Sequence, residues 1–180
     1  MIEAMPFGPG LAAVTAARAN ILATVRALDP VQLRHVPVPG SWSIAQVVEH
    51  LTLAEELTAK GLRHPRPVER KGSRLAASLR LRIIRLFFGK PFVRAEVPSR
   101  ALLPEGSASL DALERRWLEA AADIEAFLRD LPAERQQERL FRHPVTGWLT
   151  LGQMLEFHLS HIGHHARQIA RIRKSPGFPT

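Results

Sequence analysis

Four stretches of this chain repeat apolar residues at helical spacing, and each is closed by residues that cannot continue a helix. The first runs over 11–28 and stops at Asp29-Pro30. The second covers 43–60, opens after Ser41 or Ser43 and closes at Gly61. The third occupies 109–130, begins at Ser109 or Asp111 and ends at Leu131-Pro132. The fourth spans 150–174, with Thr150 as its cap and Ser175-Pro176-Gly177 as its stop. No segment gives a convincing strand pattern. An all-α fold follows, a four-helix bundle in a single domain over 1–180, because amphipathic helices bury their apolar stripes by packing on one another. In the second helix the stripe is Ile44, Val47, Val48, Leu51, Ala54 and Thr58, with His50 at its edge and Glu49 and Glu56 facing away. In the third, Leu110, Leu113, Trp117, Ile124, Phe127 and Leu128 supply the core.

The interval between the second and third helices, 61–108, is long enough to cross the bundle from end to end, so these two helices need not be antiparallel neighbours. It also carries the charge. The chain has a formal net charge of +8, and between Arg63 and Arg100 eleven Lys and Arg stand against Glu69 and Glu96. The rest of the chain is therefore close to neutral. A basic segment confined to this crossover, with "LRLRIIRLFF" at its centre, reads as a solvated Arg face, as a funnel for an anionic substrate or thiol through residues such as Arg82 and Arg85, or as a contact with a membrane surface. No base-reading motif accompanies it, which argues against nucleic acid as a partner.

Hydrophobic residues make up 46% of the chain and Cys is absent. That composition suits a globular domain without disulfides. The first residues lack a basic region followed by an apolar run, so a cytoplasmic location is expected. Without Cys, the protein cannot provide a thiol nucleophile or thiolate ligand of its own.

The fourth helix places Leu151, Met154, Leu155, His158, His161, Ile162, His165, Ile169 and Ile172 in one arc. His161 and His165, one turn apart, can point ring nitrogens at a single cation, and this is half of a metal site. Where the second and fourth helices pack side by side, His50 completes a three-histidine centre. Neutral imidazoles suit Zn²⁺, Ni²⁺ or Fe²⁺, and three protein ligands leave a coordination position open for water or substrate. His158 is read as a residue that orients a ligand or lines the pocket. His164 is placed at the surface or a subunit contact, and His35, His64 and His143 in loops. Glu156 points away from the cluster. Trp42, Trp117 and Trp148 are read as core and helix-start anchors. No nucleophile elbow, His-Glu-x-x-His or phosphate-cradling Gly motif is present.

Trp42-Ser43 followed by "IAQVVEHL", and the later "HPVTGWLTLGQMLEF" and "HIGHHARQI", together resemble the DinB-like (DinB/YfiT) superfamily along essentially the whole chain. The resemblance implies a four-helix bundle with a long crossover between helices 2 and 3. It also implies one divalent transition metal held by His50, His161 and His165, and a homodimer. Gln168 stands where the family commonly has Gln, whereas the Arg-Gly usually found before it reads Ala166-Arg167. The family includes thiol-dependent transferases. The expected function is thus a metal-dependent transferase joining a low-molecular-weight thiol to a small electrophile. The alternatives are a hydrolase using metal-bound hydroxide and a non-enzymatic, metal-stabilised dimeric binding module.

Overall fold

The computed structural model describes residues 7–63, 78–79, 81–83 and 99–180. Most of the basic crossover, including His64 and Arg85, lies outside the described residues, while Arg82 is exposed. The helices are α1 (Gly8–Arg26), α2 (Pro30–Arg34), α3 (Ile44–Arg63), α4 (Leu110–Arg129) and α5 (Leu151–Arg173). Short 3₁₀ turns lie at Arg100–Leu102 and Ala133–Arg135, and β1 (Phe141–His143) pairs antiparallel with β2 (Gly147–Leu149). Among the described residues, no helix is long and apolar enough to cross a membrane.

The helix starts follow from side-chain chemistry. Ser43 accepts the Gln46 N–H at 3.3 Å while Gln46 Oε1 accepts the Ser43 N–H at 3.0 Å. Thr150 and Gln153 form the same reciprocal box at the start of α5, and Ser109, rather than Asp111, caps α4. Each box satisfies N–H groups that the first helical turn leaves without partners.

Several boundaries differ from the sequence reading. α1 starts at Gly8 and ends at Arg26, and α3 runs through Gly61 to Arg63. Gly61 has open space around it, and with α3 packed on its neighbours a single glycine is not enough to break the helix. Asp29 does more than end α1: its carboxylate accepts the Val31 and Gln32 N–H groups and so starts the extra short helix α2. The hairpin β1–β2 was not expected either. Its strands are only three residues long, too short for alternation to register.

The relative directions of the helices can be read from their contacts. Thr52 meets Leu113, Glu56 meets Arg116, and Arg63 pairs with Asp123. Residue numbers rise together along α3 and α4, so the two are parallel neighbours. α1 and α5 are parallel as well, for Gly10 approaches Leu155 at the start and His35 bonds Ser175 beyond the end. Between the pairs the sense reverses, with His50 against His161 but Thr58 against His158. Parallel neighbours of 20 residues need a connection that returns along about 30 Å, and the long crossover provides it.

The core lies between the two pairs. Ile44, Val47, Leu51, Leu113, Trp117, Leu149, Leu151, Met154 and Ile162 are fully or almost fully buried. The arc expected on the fourth helix is buried without exception. On α3, Ile44, Val47, Val48, Leu51 and Thr58 of the expected stripe are buried and Ala54 is half-buried, while Glu49 and Glu55 are buried as well. Glu49 does not face away. It accepts the N–H of Gly106 at 2.7 Å. Gly106 itself has φ of +76° and a Cβ there would sit 3.3 Å from Gln46 Cγ, so glycine is required where the crossover rejoins the bundle.

Replacing Thr150 by Ala should cost about 1 kcal/mol, the usual value of a helix cap. Ile162→Ala should cost about 2–5 kcal/mol through loss of burial plus a cavity. Urea unfolding followed by circular dichroism should show both as lower midpoints at constant m.

Candidate metal centre

His50 projects from α3, and His161 and His165 project from successive turns of α5, into the same point of the bundle interior. The Nε2 atoms of His50 and His165 each lie 3.1 Å from Nε2 of His161. All three residues are buried, with 5–7% of their surface exposed. Their outer nitrogens are tied down. His50 Nδ1 lies 2.8 Å from the carbonyl oxygen of Leu102, in the 3₁₀ turn that ends the crossover. His165 Nδ1 lies 2.8 Å from Gln168 Oε1. Both partners are acceptors, so each Nδ1 carries the proton and each facing Nε2 presents a lone pair.

This tautomer assignment makes the cluster fit a cation. Between the three nitrogens at most one proton is available, that of a His161 Nε2–H. A divalent ion takes all three lone pairs at once, and the hydrogen-bonded outer nitrogens are the arrangement that orients histidine ligands and raises their basicity. The cluster can therefore coordinate a divalent metal ion. Its donor set is wholly nitrogen, which favours borderline transition ions over Mg²⁺ or Ca²⁺.

The electrostatics support the same state. Burial pushes the His50 imidazole below its usual range against the opposing pull of Leu102. Burial, followed by the neighbouring His165 and His50, lowers His161 well below that range. His165 is pushed down to about 3, by burial first and His50 second. All three are thus neutral at pH 7, the form a metal needs.

The aromatic surroundings were partly misjudged from sequence. Trp42 caps the cluster, its ring 4.9 Å from that of His50 and stacked at 6.4 Å over His165. On the other side Phe157 stacks on His161 at 5.5 Å. Trp42 is thus a wall of the site as well as a helix-start residue, while Trp117 is a core residue, fully buried. Leu102 acts through its backbone, and no side-chain pattern could have pointed to it.

The other histidines separate clearly. His158 is buried one turn before His161, and its Nε2 lies 3.2 Å from Thr58 Oγ1. It is not part of the converging set. His164 is half-buried with its ring 5.1 Å from that of His165. His35 bonds Ser175. His143 sits in β1, not in a loop, where Nδ1 accepts the N–H groups of Val145 and Thr146. Burial and then His158 bring it down to about 4. Glu156 is exposed, as expected. Arg18 and Glu55, which form a buried ion pair at 2.9 Å next to His158, were missed. Their signal was a charge of each sign inside an apolar stripe: Arg18 between Val14 and Leu22, Glu55 between Leu51 and Leu62.

With this geometry in hand, the sequence was compared with known proteins, and residues 13–169 match the DinB superfamily. The chain belongs to the DinB superfamily. Its fold is similar to the crystal structure of TT2238, a four-helix bundle protein, with a TM-score of 0.54 and 24% identity over 94% of this chain and 99% of that one. No curated protein matches the chain. The four long helices of this bundle run up-down-down-up in chain order.

Metal titration should give about one divalent transition ion per chain, with His50→Ala, His161→Ala and His165→Ala each lowering affinity by more than the ~10–100-fold typical when only a ligand's hydrogen-bond partner is lost. Isothermal calorimetry and elemental analysis check this, with His35→Ala as the unaffected control. In the metal-free protein the depressed histidines make stability depend on pH. The unfolded chain binds more protons between about 6.5, the unperturbed value, and the value of about 3 for His165. Stability is then full above about pH 6.5 and falls as pH drops through that window. Urea midpoints measured from pH 8 to pH 4 should decline accordingly, and His165→Gln should flatten the slope.

Proposed function

We propose that this DinB-superfamily protein is a metal-dependent transferase that joins a low-molecular-weight thiol to a small electrophile, with His50, His161 and His165 as the metal ligands. The observation that carries this reading is the charge of the ligand set. Three neutral imidazoles and no carboxylate make up the cluster, so a divalent ion held there keeps its full charge and favours an anionic fourth ligand. When bound, such an ion lowers the pKa of a coordinated thiol and holds it as thiolate.

The residues then have separable tasks. Leu102 and Gln168 keep the His50 and His165 outer nitrogens protonated, so that all facing lone pairs point inward. Trp42 and Phe157 cover two sides with apolar surface and exclude water, which strengthens the electrostatic pull on the thiolate. In the transfer the sulfur forms a bond to the electrophilic carbon, the leaving group departs with its electron pair, and the thiol proton passes to solvent. Since the chain has no Cys, the sulfur has to come from a cosubstrate.

A panel of bacillithiol, mycothiol, glutathione and coenzyme A with activated halides and epoxides tests the proposal, with metal-stripped protein as the blank. Thiol consumption should require metal, and His161→Ala should reduce it to the blank. Gln168→Ala should retain activity at a reduced level, about 10–100-fold lower, as is typical when a ligand's hydrogen-bond partner is lost. Thiol-independent hydrolysis of esters or amides by the metal-loaded protein would replace this reading with a hydrolase.

A further inference from the structure

A buried hydrogen bond joins α3 to α5 beyond the three-histidine cluster. Thr58 and His158 are 4% and 3% exposed, and His158 Nε2 lies 3.2 Å from Thr58 Oγ1. Thr58 gives its own hydroxyl proton to the Ala54 carbonyl at 2.9 Å, so its oxygen accepts and His158 Nε2–H donates. Three residues before Thr58, Glu55 pairs with Arg18 and ties α1 to α3 in the same way.

Burial alone does not call for an imidazole here. The His158 ring lies 6.3 Å from that of Phe141 and 5.8 Å from that of Phe157, surroundings in which leucine would fit with no polar atom to satisfy. A buried hydrogen bond is a directional demand, met in one alignment of two helices and unmet in others. Apolar contacts are less exacting, because a slip of one turn, about 5.4 Å, exchanges one aliphatic side chain for another. Sliding α5 along α3 by a turn brings Met154 or Ile162 opposite Thr58 and leaves the His158 N–H without its acceptor. The same slip presents His50 with Phe157 and His161, or with His165 and Ile169, one histidine where the native alignment gives two.

We propose that Thr58 and His158 are positioning residues of the metal centre: their hydrogen bond sets the register of α5 against α3 and so brings His50 opposite both His161 and His165. Neither belongs to the converging set, and both act through the helices that carry it. Thr58 stands eight residues from His50 on α3, about 12 Å along the axis. With α5 held at both points, it can neither slide nor pivot on α3 without breaking one of them. A buried polar contact of this kind specifies register at a cost in stability. The proposal rests on the metal reading for the purpose of the register, whereas the register itself belongs to the metal-free chain.

The double variant Thr58→Val, His158→Leu removes donor and acceptor together and leaves no buried polar atom unpaired, and Thr58→Ser keeps the hydroxyl. In the metal-free full-length protein, nuclear Overhauser contacts between the His50 and His161 rings should be present in the wild type and in Thr58→Ser and be lost in the double variant, whose urea midpoint should be no lower than that of the wild type. Co²⁺ titration of the same proteins should show affinity at least about tenfold weaker in the double variant, a difference of about 1.4 kcal/mol, with a changed visible spectrum, and near wild-type behaviour in Thr58→Ser. If the double variant does not fold, Thr58→Val alone is read by the same ring contacts. A folded variant that keeps those contacts overturns the proposal, as does failure of Thr58→Ser to restore them. A wild type that shows the contacts but binds no Co²⁺ removes the metal reading, while the ring contacts still decide the register.

Discussion

Two imidazole nitrogens held 3.1 Å from a third in a protein interior impose a condition that the rest of the fold meets. Lone pairs of neutral rings repel one another, and a single shared proton satisfies only part of the set. The packing that forces them together therefore has to be stronger than this local cost, or the cost has to be removed by a cation. The bundle supplies the first through the apolar residues around the cluster. Met154, Leu151 and Ile162 on α5 and Val47, Leu51 and Ile44 on α3 are buried around the same seam. Burying such side chains is worth about 1.5–3 kcal/mol each, enough to hold a few unfavourable polar contacts in place.

That arrangement also explains the helix order. His50 can meet His161 and His165 only where α3 and α5 are adjacent, and the second contact, Thr58 with His158, shows that they run antiparallel. α4 is then left beside α3 with the same direction, and the chain must travel back along the bundle between them. The return path ends in a set of fixed points close to the cluster: the Leu102 carbonyl on His50, and Gly106, whose N–H is held by Glu49. Glu49 and His50 are consecutive residues that hold two points, four residues apart, at the end of the same returning segment. A negative carboxylate accepting a buried backbone N–H is a stronger bond than a neutral acceptor makes, which explains why an acid occupies a buried position there.

The histidine pair was legible from sequence because one helix alone sets its geometry: a separation of four residues fixes the facing of His161 and His165 whatever the helix packs against. His50 could be located at the edge of its stripe by the same rule, but its meeting with the pair depends on which helices are neighbours. A crossover length gives only the freedom to choose, and α3 and α4 proved to be parallel neighbours. Residue polarity was the weaker guide. Glu49, Glu55 and Arg18 look like solvent-facing residues by type, yet their positions in the stripes are interior ones, and their partners, a glycine N–H and each other, come from distant parts of the chain. The hairpin that carries His143 escaped for a different reason. Its turn is built by the Gly147 φ of +83° and by the His143 ring accepting two N–H groups, features that alternation in three-residue strands does not reveal.

The three histidines of the cluster are not equivalent in how they are held. His165 is fixed from within its own helix, three residues from Gln168, and His161 is fixed by the same helix and by Phe157. These two are in place whenever α5 is formed. His50 takes its orientation from the Leu102 carbonyl, fifty-two residues away in sequence, and its ring is further covered by Trp42. The pair is therefore local in origin, and the placement of the third histidine is tertiary. Orientation of the third imidazole requires the Arg100–Leu102 turn to be seated on His50, because a free His50 ring rotates about its side-chain torsions and shares its proton between both nitrogens. A cation that takes all three lone pairs favours the closed arrangement over any in which His50 is turned away, by mass action on the state that binds it. Through Leu102, a cation held at the cluster would favour the contact between His50 and the Arg100–Leu102 turn.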